Sequence, residues 1–414
     1  MKTVSVVTSK AKPSVGFYDI HINSFPAYLR NARYAERTIR KKRSIVKSFT
    51  VWAVIKKIAP GDLEDSHLLE FTQRRFQTKQ RTRFELAALR LFIKYLRDIS
   101  VTPRPAEPIN INPVDSLRRR YTDYLRNERG LAENSIRAYS LIIKDFLNEQ
   151  TSKKGCVSPD ALNSLMIGDF LCNYSRSRSK GTTHIMAAAL RSFFRFLYRH
   201  EETVIDFSRS VPSVSRSCQP ELPAFLLPQD VERVLSIPDL STPRGRRDHA
   251  ILLLLARLGL RAGEVVSMEL DDICWRTGEV LIRGKGKIMD RLPLLLEIGE
   301  AIAIYLKKDR GDSVSRKVFL RMIAPRIGLA GPAAIGHIVR LSLVRAGIHL
   351  PGRGAAHVFR HSLATKMIRN GASLFEISQV MRHRSIASTV LYAKVDFETL
   401  KGVTSPWPVK GGVR

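Results

Sequence analysis

The sequence predicts a multidomain protein in which two all-α domains precede a domain of mixed α and β structure. The chain has 414 residues, which is too long for a single ordinary hydrophobic core. Apolar residues follow helical spacing through two blocks, and a proline-rich linker separates these blocks. Short strand-like segments, divided by glycine-containing turns, occur in the C-terminal part of the chain.

Loss of periodicity and clustered prolines define the domain boundaries. Residues 1–20 show little periodicity and are interpreted as a mobile arm. The first helical domain is predicted over 21–102 and the second over 114–205, and 221–414 is predicted to form the C-terminal domain. Closely spaced prolines break helices and favour extended chain, so we interpret their two clusters as linkers. The linker prolines are Pro103, Pro105, Pro108, Pro113, Pro212, Pro220 and Pro223.

The two helical domains repeat each other's sequence pattern. The segment 28–33 reads Tyr-Leu-Arg-Asn-Ala-Arg, and 124–129 reads Tyr-Leu-Arg-Asn-Glu-Arg. Residues 35–40 parallel 132–137 after a one-residue insertion, and an Ala-Leu-Arg triplet followed by aromatic residues recurs near the end of each block. We interpret the pattern as a tandem duplication of one small helical domain. Chance similarity between two basic amphipathic bundles is the alternative.

The C-terminal domain alternates helical and strand-like patterns. Helices are expected from Pro228, over 247–259, over 261–270 and again from residue 332 onward. A Ser-x-x-Glu capping box at Ser373 starts a further helix. Three short strands are expected between these helical regions, with glycine-containing turns connecting them. The expected strands cover 273–275, 279–283 and 291–294.

The charge balance indicates a polyanionic partner. Lys and Arg total 69 against 38 Asp and Glu, which gives a formal net charge of +31 and an isoelectric point near 10.4. A compact protein with this excess repels itself, and either a nucleic acid or an anionic membrane would offset the repulsion. The longest apolar run, 250–256, is far shorter than the roughly 20 residues of a membrane span, and the N-terminus lacks the apolar core of a secretory signal. Nucleic acid is therefore the expected partner, and a membrane is not.

The cysteines indicate neither a metal site nor a disulfide framework. No two of them have the Cys-x-x-Cys spacing that zinc sites and redox motifs use. We interpret them as reduced thiols of a cytoplasmic protein, and no metal ligand is expected. They are Cys156, Cys172, Cys218 and Cys274.

Dense basic segments recur in both helical domains. Charge runs are most often solvated helix faces, but these lie beside Ser and Thr and accompany a large net charge. We therefore expect them to bind the phosphate backbone, with an affinity that falls steeply as salt rises. The DNA-binding candidates are Arg37, Arg40, Lys41, Lys42, Arg43, Arg118, Arg119, Arg120, Arg176, Arg178 and Lys180.

The C-terminal domain contains residue types that suit metal-free cleavage of a phosphodiester. Such chemistry needs a nucleophile, fixed cations beside the phosphate oxygens and an acid for the departing alkoxide. Arginine suits the second role because its planar fork binds two phosphate oxygens and stays protonated. His357 and Arg360, three positions apart in a predicted helix, share one face. The full candidate set is Arg261, Lys285, His357, Arg360, His383 and Tyr392.

The order and spacing of these residues resemble the tyrosine recombinases, the phage-integrase and Xer-like family. The resemblance covers roughly residue 222 to the C-terminus, and the helical domains resemble the family's SAM-like core-binding domain. It rests on Gly-Leu-Arg-Ala-Gly-Glu at 259–264, Gly-Lys-Gly at 284–286, the His-x-x-Arg box at 357–360, and the final histidine and tyrosine. The sequence departs from the family pattern in two places. Met381-Arg382 replaces the usual Leu-Gly before the histidine, and the core-binding domain occurs twice.

The resemblance implies a mechanism that needs no metal, nucleotide or other cofactor. In that mechanism Tyr392 attacks the scissile phosphate and forms a 3′-phosphotyrosyl bond, which frees a 5′-hydroxyl. The two arginines of the candidate set clamp the phosphate, and His383 donates a further hydrogen bond to it. Lys285 protonates the 5′ leaving oxygen, and His357 assists proton transfer with the tyrosine.

The resemblance further implies a site-specific recombinase or integrase of a bacterial mobile element. Such a protein acts on double-stranded DNA in the cytoplasm and is associated with the nucleoid. It assembles as a tetramer on two synapsed sites, and segments from about Val395 onward are exchanged between protomers. Other recombinases of the same element are further candidate partners.

Two other functions are compatible with parts of this pattern. A type IB topoisomerase uses a similar constellation, and a non-catalytic DNA-binding subunit of a recombinase complex would share the charge. Taken singly, Arg261 would cap a helix and Tyr392 would be a buried packing residue. His357 and His361 have the spacing of a zinc-binding helix, but Val358 stands where the metalloprotease motif has Glu.

Overall fold

The structure of the protein is a computed structural model. It describes residues 16–75, 79–103, 113–154, 162–176, 178–213, 224–284, 289–350 and 355–382, together with residue 389. The chain divides into two compact units: one consists of residues 106–221, and the other combines 1–105 with 222–414. Both borders fall within the proline-containing linkers. Within the described residues, no helix combines the length and the apolar character that crossing a bilayer requires.

The N-terminal part of the chain folds into a bundle of helices. Its members are α1 Gly16–Asn31, α2 Glu36–Ile55, α3 Asp65–Arg75 and α4 Lys79–Asp98. Residues 16–20, which the sequence assigned to the arm, therefore belong to α1. The buried side chains of Ile39, Val46 and Phe49 recur at intervals of seven and three residues, so they form one apolar stripe along α2. Helix α4 packs against α1, α2 and α3 and closes the core.

A second bundle follows, built from helices of similar length. Its members are α5 Pro113–Asn127, α6 Glu133–Lys154, α7 Ser164–Arg176 and α8 Lys180–Arg199. Pro113 begins α5, where the missing N–H of proline has no helical partner to lose. Ser179 caps α8, because its side chain accepts a hydrogen bond of 3.3 Å from the backbone N–H of Thr182. Phe193 and Phe194 of α8 are fully buried. Within the described residues both blocks are all-α, as predicted.

The C-terminal domain is built around one buried helix. The α-helices described in this domain are α9 Pro228–Leu235, α10 Pro243–Arg257, α11 Ala262–Ser267, α12 Leu296–Tyr305, α13 Pro332–Arg345, α14 Ala355–Arg369 and α15 Leu374–Val380. Every residue of the apolar run 250–256 in α10 is buried, and α10 packs against α12 and α14. The predicted capping box begins α15: the Ser373 N–H donates to the Glu376 carboxylate at 2.8 Å, and the Glu376 N–H donates to the Ser373 hydroxyl at 3.2 Å.

A small antiparallel sheet completes the domain. Its strands, in spatial and chain order, are β1 Ile273–Cys274, β2 Glu279–Arg283 and β3 Met289–Pro293. Strand β3 begins two residues before the predicted position, because Met289 and Asp290 pair with Arg283 and Ile282 of β2. The mixed α and β character predicted for this domain is therefore confirmed.

The helix expected over 261–270 is shorter than predicted. Helix α11 ends at Ser267. Beyond it, the backbone carbonyl of Met268 accepts a hydrogen bond from the Val318 N–H at 3.0 Å, and the Leu270 N–H donates to the Arg316 carbonyl at 2.9 Å. These bonds to a distant segment use backbone groups that a longer helix would have needed.

Candidate active site

A tight turn between α10 and α11 positions Arg261. Gly259 adopts a φ of +58°, which glycine tolerates and other residues rarely do. A Cβ at this position would lie 3.1 Å from both Leu363 of α14 and Met381 after α15, so neighbouring side chains also require glycine here. The turn therefore places Arg261, the N-cap residue of α11, close to the other two helices.

Glu264 holds Arg261 in place. Its carboxylate accepts a hydrogen bond of 2.9 Å from the Arg261 backbone N–H and another of 2.8 Å from the Arg261 guanidinium. Burial of Glu264 alone would raise its pKa, but the Arg261 N–H and the neighbouring guanidinium charges of Arg382 and Arg261 outweigh burial and lower the pKa. The carboxylate is therefore ionised, and it fixes the side chain that the sequence predicts to bind phosphate.

Arg360 connects three separate segments of the chain. It lies on α14 and is only 3% exposed. Its guanidinium donates a 2.7 Å hydrogen bond to the carbonyl oxygen of Gly259, two residues before Arg261. It also donates to the carbonyl oxygen of Met381, two residues before His383. The structure thus brings Gly259, helix α14 and Met381 together around one buried side chain.

His357 lies beside the two arginines in an electropositive environment. The imidazole is exposed at the surface of the site. Desolvation by the surrounding protein and the charges of Arg360 and Arg261 lower the pKa of His357, whereas the carboxylate of Glu264 opposes the shift. One turn further along α14, burial and the neighbouring His357 and Arg360 lower the pKa of His361 to about 4. Both imidazoles are therefore mainly neutral at pH 7.

Arg382 is a site residue whose contact the sequence did not reveal. Its backbone adopts a φ of +51°, in the left-handed region that favours glycine. Its guanidinium lies 2.8 Å from the Glu264 carboxylate, with the two side chains only 8% and 5% exposed. It also lies 3.9 Å from the carboxylate of Asp290 on β3. The sequence showed that Arg382 departs from the family pattern, but it gave no signal for partners so distant in the chain.

The remaining predicted catalytic residues lie outside the described residues. Lys285 falls between β2 and β3, whose pairing continues to Arg283 and Met289. The guanidinium of Arg283 lies 2.8 Å from the buried carboxylate of Asp272, which anchors the end of β2. His383 follows directly on Arg382, and Tyr392 lies farther along the chain. The roles of these three residues remain predictions.

The predicted DNA-binding residues of the first bundle differ in accessibility. Arg37, Arg40, Lys41 and Arg43 of α2 are exposed, as a phosphate contact requires. Lys42 is only 6% exposed. Its ammonium group lies 5.4 Å from the ring centre of Tyr34 and 5.2 Å from that of Phe84, and burial lowers its pKa. Lys42 therefore belongs to the core-facing side of α2, unlike its basic neighbours.

The second bundle also presents basic side chains to solvent. Arg119 and Arg120 of α5 are exposed, and Arg120 pairs with Glu202. Arg118 is half-buried and pairs with Asp115 at 3.0 Å. In and after α7, Arg176 and Arg178 are exposed, and the Arg178 guanidinium lies 5.2 Å from the ring centre of Tyr174. Lys180 is the first residue of α8.

Comparison with known protein families identifies two parts of the chain. The sequence profile described as "Phage integrase family" matches residues 224–399. The profile described as "Phage integrase, N-terminal SAM-like domain" matches residues 119–201. The first match contains all six predicted catalytic residues, and the second spans most of α5 to α8.

Similar proteins and solved structures agree with these matches. The protein y4rA of Sinorhizobium fredii, which carries an integrase/recombinase name, is 36% identical over 401 residues and covers 96% of each chain. The tyrosine recombinase XerD of Listeria monocytogenes is 30% identical over 290 residues, which are 68% of this chain and 95% of XerD. In fold, the chain is similar to the XerH site-specific recombinase bound to its difH substrate, with a TM-score of 0.54 at 16% identity over 97% of this chain and 99% of XerH. It is also similar to a lambda integrase dimer on a core DNA site, with a TM-score of 0.51 at 14% identity over 67% of this chain and 94% of that one. The chain therefore belongs to the phage integrase family of tyrosine recombinases.

Proposed function

We propose that this protein is a site-specific DNA recombinase that cleaves and rejoins DNA through a 3′-phosphotyrosyl bond to Tyr392. The observation that carries the proposal is the buried guanidinium of Arg360, hydrogen-bonded to the carbonyls of Gly259 and Met381. These bonds hold Gly259, two residues before Arg261, and Met381, two residues before His383, against the helix that bears Arg360. A pair of arginines held in this way suits a phosphate whose charge grows in the transition state.

Residues of the protein and the DNA account for every bond and proton of the proposed reaction, so it needs no metal ion or nucleotide. The phenolic oxygen of Tyr392 attacks phosphorus and loses its proton to His357, which is able to accept it because the lowered pKa keeps the imidazole neutral. The bond from phosphorus to the 5′ oxygen breaks, and Lys285 donates a proton to that oxygen. His383 donates a hydrogen bond to the phosphate. The 5′-hydroxyl of another strand then attacks the phosphotyrosyl ester and reverses the covalent step.

DNA binding must rearrange the site around Arg360. The side chain of Arg261 is 36% exposed and can meet a phosphate directly. Arg360 is 3% exposed, so protein atoms that cover it must move before a phosphate oxygen reaches its guanidinium. We infer that in the free protein Arg360 is held by its hydrogen bonds and is not accessible to a DNA phosphate.

We further propose that the two helical bundles are duplicates of one SAM-like domain. Aromatic packing supports the proposal. In the first bundle, Phe25 meets Phe92 edge-on at 5.2 Å and 77°. In the second, Tyr121 meets Phe193 at 5.2 Å and 80°. The residues one turn later in the fourth helix, Tyr95 and Phe196, both lie 5.5 Å from the same α1 or α5 ring.

A surface ion pair recurs at the same place and adds independent support. Arg30 near the end of α1 binds Glu36 in the first turn of α2, with 2.6 Å between Nε and the carboxylate. Arg126 near the end of α5 binds Glu133 in the first turn of α6, with the corresponding distance 2.8 Å. Exposed pairs contribute little stability and are easily lost by mutation. Their recurrence at matching positions is therefore better explained by common origin than by a shared packing requirement.

The predicted basic residues of both bundles, apart from Lys42, form the proposed DNA-contacting surfaces. Candidate phosphate contacts are Arg37, Arg40, Lys41, Arg43, Arg118, Arg119, Arg120, Arg176, Arg178 and Lys180. We leave Lys42 out of this set because its side chain is buried against two aromatic rings. A chain with two such bundles can contact a longer stretch of duplex than a chain with one.

The remaining proposals concern assembly and biology. We infer a tetrameric synapse on double-stranded DNA, in which C-terminal segments from about Val395 are exchanged between protomers. Solved lambda integrase structures, which include a tetramer bound to a Holliday junction, support this inference. We also infer a mobile-element integrase that acts in the bacterial cytoplasm at the nucleoid, with other recombinases of the element as candidate partners.

A trapped covalent adduct tests the proposed function. The full-length protein first selects its site from a pool of random duplexes. That site is then synthesised with a nick beside the cleavage position, so that the short 5′-hydroxyl fragment leaves and rejoining cannot occur. We expect an adduct with the selected site only, and its loss in Tyr392→Phe. An equal adduct with unrelated duplex would indicate a type IB topoisomerase instead, and binding without any adduct would indicate a non-catalytic subunit.

A further inference from the structure

Arg382 occupies a backbone conformation that its side chain does not favour. Its φ of +51° lies in the left-handed region, where a side chain crowds its own backbone and glycine is the usual occupant. An arginine at such a position needs contacts that offset the backbone strain.

The arginine side chain has those contacts. Its guanidinium donates a 2.8 Å hydrogen bond to the Glu264 carboxylate, and both side chains are almost fully buried. The other oxygen of that carboxylate accepts the Arg261 guanidinium at 2.8 Å. Without Arg382 the buried Glu264 carboxylate would keep only its hydrogen bonds to Arg261, and its charge would be less well compensated. Glu264 thus couples Arg382 to Arg261.

A third element of the site is within reach of the same guanidinium. The Asp290 carboxylate on β3 lies 3.9 Å from Nε of Arg382, close enough for electrostatic attraction. Asp290 pairs with Ile282 in the hairpin whose connecting loop contains Lys285. Arg382 therefore contacts groups from α11 and from the β2–β3 hairpin, and the residue that follows it is His383.

We propose that Arg382 is a positioning residue that fastens the end of α15 and strand β3 to the Arg261 box. The inference rests on the proposed recombinase function. Arg382 is not a catalytic residue in this view, because its guanidinium is buried and committed to Glu264. It acts on the reaction through the placement of its neighbours, and small misplacements of catalytic groups slow reactions strongly.

The test compares Arg382→Gly with Arg33→Gly in the full-length protein. Glycine relieves backbone strain at position 382 while it removes the buried ion pair. Arg33 is the matched control: it has a φ of +61°, and the carboxylate with which it pairs, Asp312 at 3.9 Å, is fully exposed. The measurements are the Kd for the selected duplex and the single-turnover rate of adduct formation on the nicked substrate.

We expect Arg382→Gly to bind DNA within about twofold of the unaltered protein and to form adduct on the order of 100-fold more slowly. Arg33→Gly should change neither quantity by more than about twofold. Equal rates for Arg382→Gly and the unaltered protein would overturn the inference. An unaltered protein that forms no adduct would instead overturn the proposed function, so the two failures are distinguishable.

A modified substrate identifies which neighbour Arg382 positions. A 5′-bridging phosphorothiolate has a sulfur leaving group that departs without a proton, so it does not need the acid. If Arg382 acts on the Lys285 hairpin, this substrate should restore most of the Arg382→Gly rate. If it acts on the His383 segment alone, the defect should persist, which would overturn the part of the proposal that concerns the hairpin.

A conservative variant keeps the proposal testable should Arg382→Gly fold poorly. Arg382→Lys keeps the charge but cannot offer the planar fork. We expect a rate between those of the unaltered protein and the glycine variant, with an unchanged Kd. A rate equal to that of the unaltered protein would show that charge near Glu264 suffices and that the specific arginine contact does not position the site.

Discussion

The guanidinium of Arg360 donates a hydrogen bond of 2.7 Å to the carbonyl oxygen of Gly259, a residue 101 positions earlier in the chain. Gly259 is at the turn that leads into Arg261, and its positive φ turns that carbonyl toward α14. The position of one predicted phosphate ligand therefore depends on the other. A change at either residue should disturb both.

Arg360→Lys tests the role of the guanidinium. Lysine keeps a positive charge but cannot donate to two carbonyls and a phosphate from one planar group. We expect the rate of adduct formation to fall about 100-fold or more, with the Kd for DNA little changed. The matched control is Arg369→Lys, an exposed arginine on the same helix, which should keep its rate. A rate for Arg360→Lys within twofold of the unaltered protein would contradict the assigned role.

Gly259→Ala separates backbone strain from close packing. The added Cβ meets a positive φ and lies 3.1 Å from both Leu363 and Met381. We expect a loss of about 3 kcal/mol of stability, which lowers the midpoint of thermal unfolding by roughly 6–12 °C. Gly278→Ala has a similar φ of +65° with no atom within 4 Å of the new Cβ, so it should lose only about 1 kcal/mol. Equal losses would mean that packing around Gly259 is loose.

The sequence predicted those parts of the site that depend on short-range patterns. His357 and Arg360 share a helix face because they are three residues apart, and a glycine followed by Arg261 marks the boundary between two helices. Such local relationships follow from helix geometry and turn chemistry. The family resemblance then connected motifs that are far apart in the chain.

The sequence could not predict contacts between distant charged residues. Arg382 and Glu264 are 118 positions apart, and the chain offers many other carboxylates to an arginine.

The burial of Lys42, in contrast, could have been predicted from the sequence. Lys42 lies three residues after Ile39 and four before Val46, on the apolar stripe of α2. We grouped Lys42 with its basic neighbours and did not compare its position with those of the apolar residues.

The rate of DNA cleavage should fall only at low pH. His357 must be neutral to accept the tyrosine proton, and desolvation together with Arg360 and Arg261 lowers its pKa below the usual 6.5. We expect the rate of adduct formation to reach half its plateau value only at a pH below 6.5. Rates of adduct formation on the nicked substrate, measured across pH 5–8, check this. In His357→Gln the decrease in rate at low pH should disappear. A midpoint at or above pH 6.5 would contradict a neutral base in this environment.

His361 should make the fold sensitive to acid. Its pKa is about 4 in the folded protein and near 6.5 when unfolded, so the unfolded chain binds the proton more readily. Its contribution to stability is fully present above pH 6.5 and is lost as pH falls toward 4, by an amount on the order of 1 kcal/mol because the side chain is partly exposed. In His361→Gln, the midpoint temperature of thermal unfolding should depend less on pH over this range. An unchanged pH dependence would mean that other groups dominate.

Adjacent lysines in α2 should behave oppositely in DNA binding. Lys41 is exposed and belongs to the proposed DNA-contacting surface, whereas Lys42 is buried between Tyr34 and Phe84. Lys41→Met should weaken binding and reduce the slope of log K against log salt by about 0.9, the value for one lost phosphate contact. Lys42→Met replaces a desolvated ammonium with an apolar side chain of similar length, so affinity and salt slope should stay constant while stability stays equal or rises. Fluorescence anisotropy with a labelled duplex between 50 and 200 mM salt, the range over which such contacts change affinity strongly, measures both quantities. A reduced slope in Lys42→Met would place that side chain on the DNA and would require the N-terminal bundle to open when it binds.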